Sequence, residues 1–208
     1  MWPLSTTTLS RVAARLEVLP KFFLVFYTPL TGSLCLTDDM ANPSAADKKH
    51  YVDASVAQTF VETVLTANGV ASTNASIVAR CLIAADLRGV DTHGMNRIPS
   101  YMERIRQGVL DASAAPELRQ ITPAVAQIDA RNGFGFVAAD LGMAAAIESA
   151  KIYGIGMASI KNSNHFGMAA WIVQKALDSN MMSLVFTNSS PALPAWGGKV
   201  SYDCTECG

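Results

Sequence analysis

The chain of 208 residues is half hydrophobic, carries 16% charged residues and has a net charge of −1, a globular balance that excludes a disordered polypeptide. Its length allows one good core, or one core with a smaller unit. Lys and Arg are scattered, without interleaved aromatics, so there is no basic field for nucleic acid or an anionic membrane, and a small-molecule partner is the default expectation.

In chain order, residues 1–39 are Ser/Thr-rich and then apolar, with Arg11, Arg15 and Lys21 against one acid, Glu17. The apolar run Phe22 to Tyr27 is too short to span a bilayer and is followed by Thr28-Pro29. Met40-Ala41-Asn42-Pro43 looks like an ordinary start, so 1–39 reads as an atypical extension, either foreign to the native protein or a mitochondrial transit peptide. Otherwise a cytoplasmic location is expected.

Segment 40–122 reads as helical. Asp53 can cap a helix whose apolar positions are Val56, Phe60, Val61, Val64 and Leu65, closed by Asn68-Gly69. Ser72 or Thr73 opens a second helix with Ile77, Val78, Cys81, Leu82 and Ala85 on one side. A third runs from Ile98 to Ile105, with Tyr101 and Ile105 on the Arg97 face and Gly108 as its stop. Pro116 and Pro123 bound a polar connector.

The texture changes over 123–199. Val125 to Asp129 alternates like a strand, and Asn132-Gly133 is a turn signal. An Ala-rich helix follows from Val137 to Tyr153, then a strand from Ile155 to Ile160 and a helix from Met168 to Leu177. Met181 to Phe186 is so uniformly apolar that burial on both faces is expected. Strand, helix, strand, helix, strand is an α/β signature, and its polar strand ends, 162–167 and 187–190, are where a ligand would sit.

Four cysteines are present. Cys81 reads as buried and inert, and the lone C-x-x-C of Cys204 and Cys207 has no nearby histidine to complete a zinc site. No metal and a reducing compartment are expected. Gly133-Phe134-Gly135 lacks the third glycine of a dinucleotide fingerprint and reads as a turn; Gly197-Gly198-Lys199 is no P-loop. There is no G-x-S-x-G and no H-E-x-x-H.

Two of the three histidines stand in polar islands, Asp86 to Gly94 and Asn162 to Gly167. His93 and Arg97 are four apart, which on a helix puts them on one face, a pairing suited to a small carboxylate beside a carbonyl or hydroxyl. The plainer reading of His93 is a helix-end salt-bridge cluster. His165, at a strand-to-helix turn, is either a general acid/base or part of a helix cap in which Asn164 is the capping residue.

DLRGVDTHG (86–94) with Arg97 and Tyr101, NGFG (132–135), KNSNHFG (161–167), FTNSSP (186–191) and WGGK (196–199) resemble, in order and spacing, the malate/L-lactate dehydrogenases of the type that includes ureidoglycolate and sulfolactate dehydrogenases. The resemblance covers roughly Tyr51 to Lys199. It implies an N-terminal helical segment followed by a non-Rossmann α/β nicotinamide-binding domain, incomplete at the C-terminus. NAD or NADP would be the cofactor, a 2-hydroxy or 2-oxo acid the substrate, and a homodimer the working unit. It makes His165 the proton acceptor, His93 and Arg97 the substrate-binding pair, Ser189 a cofactor contact, and Tyr101 a residue lining the substrate side. Members of the family are longer, and 200–208 resembles nothing in the pattern. The resemblance therefore also implies a truncated chain, expected to be poorly soluble or inactive. A non-catalytic subunit that pairs with a full-length relative, and a cyclic imine reductase, stand as alternatives.

Overall fold

The computed structural model describes residues 51–187 together with three strands at 21–27, 193–194 and 201–202. The chain order is β1 (Lys21–Tyr27), α1 (Ala54–Ala67), α2 (Ser72–Leu87), two 3-10 turns (Asp91–His93 and Met95–Arg97), α3 (Ile98–Arg106), β2 (Glu117–Thr122), β3 (Val125–Asp129), α4 (Gly135–Tyr153), β4 (Ile155–Lys161), α5 (Ala169–Asp178), β5 (Met181–Val185), β6 (Leu193–Pro194) and β7 (Ser201–Tyr202). The mixed α/β class is as expected. Among the described residues no helix is long and apolar enough to cross a membrane.

The helical segment forms as its sequence dictates. The Asp53 carboxylate accepts from the backbone N–H of Ser55 at 2.8 Å and of Val56 at 3.4 Å, satisfying donors that α1 leaves orphaned. Asn68 and Gly69, the latter at φ +88°, end it. The buried stripe is Ala57, Val61 and Leu65, whereas Val56 and Phe60, expected inside, are 60% and 56% exposed. The stripe at i, i+4, i+8 is the one that meets α2; Val56 and Phe60 each lie about 100° round the helix from it. On α2, Val78, Cys81, Leu82 and Ala85 are buried as expected. The helix opens at Ser72, as expected, with Ala71 at the cap position and no side-chain cap. These helices and α3 share one apolar cluster with Phe134, Phe136 and Val137 at the start of α4.

Cys81 lies wholly inside that cluster, and burial pushes its thiol up to about 11. The thiolate is the nucleophile, so at pH 7.5 Cys81 is expected to resist iodoacetamide in the folded chain and to react once denaturant opens it. Peptide mapping by mass spectrometry checks this site by site.

The sheet has the order β2-β3-β4-β1-β5. The 117–122 stretch read as a polar connector is a strand: β2 and β3 form an antiparallel hairpin with a bulge between Gln120 and Thr122. All six residues of β2 are exposed, and that one-sided, water-facing edge is why its sequence lacks an apolar signature. β3 and β4 are parallel neighbours joined by α4, a βαβ unit. β1 pairs antiparallel with both β4 and β5, so β4 and β5 run in the same direction and are held one strand apart by it. The apolar run of the N-terminal extension is therefore an interior strand of the sheet. The six successive apolar or aromatic positions from Phe22 to Tyr27 suit a strand with a neighbour on each side.

On β5 only one face is buried. Met181 and Val185 are covered, while Met182 and Leu184 are 44% and 42% exposed, against the expectation of burial on both faces. The helices α4 and α5 cover one side of the sheet; their cluster includes Ile128, Met143, Ala158, Ile160, Ile172 and Val185.

Candidate active site

The site is assembled where the parallel strands β3 and β4 end. Their ladder does not stop at Asp129 and Lys161. It continues through backbone bonds from Ala130 N–H to Lys161 O (2.9 Å), Asn132 N–H to Asn162 O (2.8 Å), Asn164 N–H to Gly133 O (3.3 Å) and Gly135 N–H to His165 O (3.1 Å). These rungs fasten the 162–167 loop to the turn that starts α4. Arg131 and Asn132 take positive φ, 51° and 61°, to make that turn, and Asn162 does the same at 51°. The Asp129 carboxylate accepts from the Arg131 N–H at 2.9 Å and from the Asn162 side chain at 3.0 Å; these bonds hold its pKa below the usual carboxylate value. Gly133-Phe134-Gly135 is thus a turn, as its missing third glycine indicated.

The loop sets His165 at the surface, with the ring exposed and its neighbours Asn164, Phe166 and Gly167 buried. Gly167 sits at φ +81°, and a Cβ there would come within 2.2 Å of the Phe136 ring. The Nδ1 atom of His165 lies 2.8 Å from the Tyr101 hydroxyl and 3.3 Å from the Gly167 N–H. An amide N–H can only donate, so the neutral ring is favoured with Nδ1 unprotonated and the proton on Nε2. Tyr101 comes from the buried face of α3, edge-on to Phe134 and Phe136. Burial pushes its phenol far above its ordinary value, an effect the positive charges of Arg97 and Arg104 only partly offset. It therefore stays a neutral phenol, able to donate to Nδ1 or to accept from it.

His93 stacks on His165 with ring centroids 5.5 Å apart and planes inclined by 29°. The structure thus brings together three of the residues singled out in the sequence: His93, Tyr101 and His165. Arg97 sits differently from the expectation of a shared helix face with His93. The two occupy successive 3-10 turns separated by an extended Gly94 (φ −92°, ψ −155°). The Arg97 Nε donates to the Thr92 carbonyl at 2.5 Å, so the guanidinium folds back over the His93 turn. The break has a cause. The Asp86 carboxylate accepts from Met95 N–H at 2.9 Å and fills the space that a side chain on Gly94 would need. Ser189 falls outside the described residues.

Asn164 does not cap the following helix. Position N-cap of α5 is Met168, which makes no side-chain cap. The Asn164 amide instead points into the turn before α4 and accepts from Arg104 on α3. Arg104 had no sequence signal of its own, and Gly135 stood out only within the Gly133-Phe134-Gly135 turn, not as a residue that packs on the His165 loop. The one hint for Arg104 was its spacing, three after Tyr101 and seven after Arg97, which places all three on one helical face.

Among the described residues two cavities stand apart from His165 and Tyr101, one beside the His93 turn and one at the opposite end of the sheet. One of about 1060 Å³ is bordered by Tyr51, Phe60, Ile83, Asp86, Asp91 and Met95, on either side of His93 in the chain. The other, of about 570 Å³, lies between β2 and the end of α4. Among the described residues no group of His, Cys, Asp and Glu is placed to hold a metal ion.

Residues 52–205 match the family described as malate/L-lactate dehydrogenase. The malate/(S)-sulfolactate dehydrogenase of Methanothermus fervidus is 39% identical over 137 residues, 66% of this chain and 40% of that protein. The (2R)-3-sulfolactate dehydrogenase (NADP(+)) of Chromohalobacter salexigens is 34% identical over 69% of this chain and 43% of its own length. Among solved structures, sulfolactate dehydrogenase from Methanocaldococcus jannaschii superimposes with a TM-score of 0.67 at 32% identity, covering 71% of this chain and 43% of that one. The chain spans about two fifths of the length of these relatives. On the family match, the motif order and the shared fold, it belongs to the malate/L-lactate dehydrogenase family.

Proposed function

We propose that the chain is an NAD(P)-dependent oxidoreductase acting on a small 2-hydroxy acid or the matching 2-oxo acid. One observation carries the reading. Tyr101 and His165, 64 residues apart in sequence, meet at 2.8 Å beneath a second, stacked imidazole, with an arginine folded over the same turn. That is an acid/base beside a cation suited to a carboxylate.

In this reading Arg97 and His93 hold the substrate carboxylate and set the reacting carbon over His165. The Tyr101 hydroxyl accepts from Nδ1–H of an imidazolium, so Nε2–H is the proton given to a 2-oxo oxygen. In the opposite direction the ring's proton first shifts from Nε2 to Nδ1, where the phenol oxygen accepts it, and the freed Nε2 takes the hydroxyl proton. The nicotinamide, when bound, supplies or removes hydride at the substrate carbon. His165 lies at the end where β3, β4 and β5 all terminate; Thr187, just past β5, is buried there, and Ser189 two residues on is the residue of this chain that would contact the nicotinamide cofactor. Orientation and the positioned acid/base are what the protein contributes to lowering the barrier.

The reading extends to a homodimer and to the cytoplasm. The exposed apolar side chains of Val56, Phe60 and Leu87 support a covered face, and the free thiol of Cys81 suits a reducing compartment.

Thermal unfolding of the 208-residue chain with NADH or NADPH tests the proposal. One cofactor should raise the midpoint; at a hundredfold excess over Kd the stabilisation is about 2.7 kcal/mol. An assay of 2-oxo acids with that cofactor should then show turnover. A cooperative transition that neither cofactor moves, without turnover, would sink the reading and favour a non-catalytic subunit.

A further inference from the structure

We propose that Arg104 is a positioning residue for His165, acting through the buried side-chain amide of Asn164. The inference rests on the reading of His165 as the acid/base.

Asn164 is 8% exposed, and its amide is held on every side. Its NH2 group donates to Asn132 O at 2.8 Å, to Asn132 Oδ1 at 3.1 Å and to Gly133 O at 3.3 Å. All three partners are acceptors, so the amide has one orientation, with Oδ1 turned toward α3 and in need of a donor. Arg104 Nη2 supplies it at 2.8 Å. Without that donor, Oδ1 would lose its α3 partner in a largely buried setting, and the amide would have reason to rotate.

The consequence for His165 is geometric. Tyr101 and Arg104 are three apart on α3 and so lie on one face, one turn apart. Tyr101 engages Nδ1 of His165, and Arg104 engages the side chain of the residue immediately before it. One helix thus grips two successive residues of the loop. The Tyr101 bond alone leaves the loop free to pivot about the ring nitrogen, and the Arg104 bond removes that pivot. The backbone rungs from Asn164 N–H to Gly133 O and from Gly135 N–H to His165 O are the other side of the clamp. Arg104 is otherwise exposed, so its loss need not disturb a core. A guanidinium can span from a helix surface to a buried carbonyl oxygen while its remaining donors stay in water.

A simple staple between α3 and the loop would also be lost on substitution, so the test must read His165 itself. With 15N-histidine in the 208-residue chain, long-range 1H–15N correlation reports the Nδ1 and Nε2 shifts of His165. His50→Gln and His93→Gln assign the other two rings. The parent should show mainly the Nε2–H tautomer. Arg104→Met should shift the His165 nitrogens toward a mixture of tautomers, and Arg104→Lys, which keeps a donor, should restore them. In turnover assays Arg104→Met should lower kcat roughly ten- to a hundredfold with KM little changed, again rescued by lysine. Should Arg104→Met fold poorly, Arg104→Gln is read in the same way. Unchanged His165 shifts in a folded variant would overturn the proposal, whether or not the melting temperature falls. If the parent itself shows no turnover, the oxidoreductase reading fails, and the nitrogen shifts still decide the role of Arg104.

Discussion

Replacing His165 with glutamine is expected to lower turnover of a 2-hydroxy acid by about 10²–10⁴-fold with modest change in KM, the loss typical of removing a positioned acid/base. The backbone rungs that build the loop, and the buried Phe166 and Gly167 beside it, do not depend on the imidazole, so the fold should survive. Glutamine keeps a polar side chain but cannot exchange a proton near neutral pH. Arg97→Lys should give the opposite pattern. The lysine keeps a charge but not the planar fork, so KM for carboxylate substrates rises while kcat is largely kept. Steady-state kinetics on the two variants separates the roles, and normal turnover in His165→Gln would contradict the assignment.

Gly135→Ala is the second large effect, and it should strike stability and activity together. A Cβ at this position would lie 2.2 Å from Asn164 O and 2.7 Å from His165 O, both backbone atoms that cannot swing aside. Relief requires pulling the loop away from α4, which breaks the Gly135 N–H to His165 O rung and displaces the His165 ring from Tyr101. Overpacking of this kind costs roughly 1–3 kcal/mol, and the lost rung adds about 1 more. For a chain of this size that is a fall in melting temperature of the order of 10 °C. Gly142→Ala is the control. Its Cβ would meet only the tips of Ile160, Ala158 and Ile128 at 3.2–3.3 Å, and alanine gains helix propensity. Circular dichroism melts of both variants check the contrast. A Gly135→Ala protein as stable as the parent would show that the loop can retreat without cost.

Much of this was legible in the sequence because it is local. Asp53 as a cap, Asn68-Gly69 as a stop and the turn at Asn132-Gly133 each depend on a few adjacent residues, and each stands as expected. The two histidine islands were legible because polar residues in an otherwise apolar chain need a reason. The misses share a different cause. Whether Val56 or Ala57 faces inward depends on where α2 lies, and whether β5 is covered on one face or two depends on what stands above the sheet. The 3-10 break between His93 and Arg97 follows from the Asp86 carboxylate reaching Met95, an i to i+9 contact that no periodicity records. Asn164 looked like a cap because Asn caps helices; its true partners, Asn132 and Arg104, are 32 and 60 residues away.

The interior strand β1 bears on how the chain comes to be folded. Its register sets Phe23 against Val185 and Tyr27 against Met181, so its last neighbour is made long after the strand itself. At ordinary synthesis rates of about 5–20 residues per second, Lys21–Tyr27 leaves the ribosome roughly ten to thirty seconds before β5 exists to receive it. Through that interval a short, almost uncharged, β-prone segment waits without a partner, the kind of sequence that associates with its own copies. The closure that ends the wait is among the least local in the molecule and correspondingly slow. Yield of soluble chain should therefore be limited by events during translation, and slower growth or an added holdase chaperone should raise it more than any change of buffer.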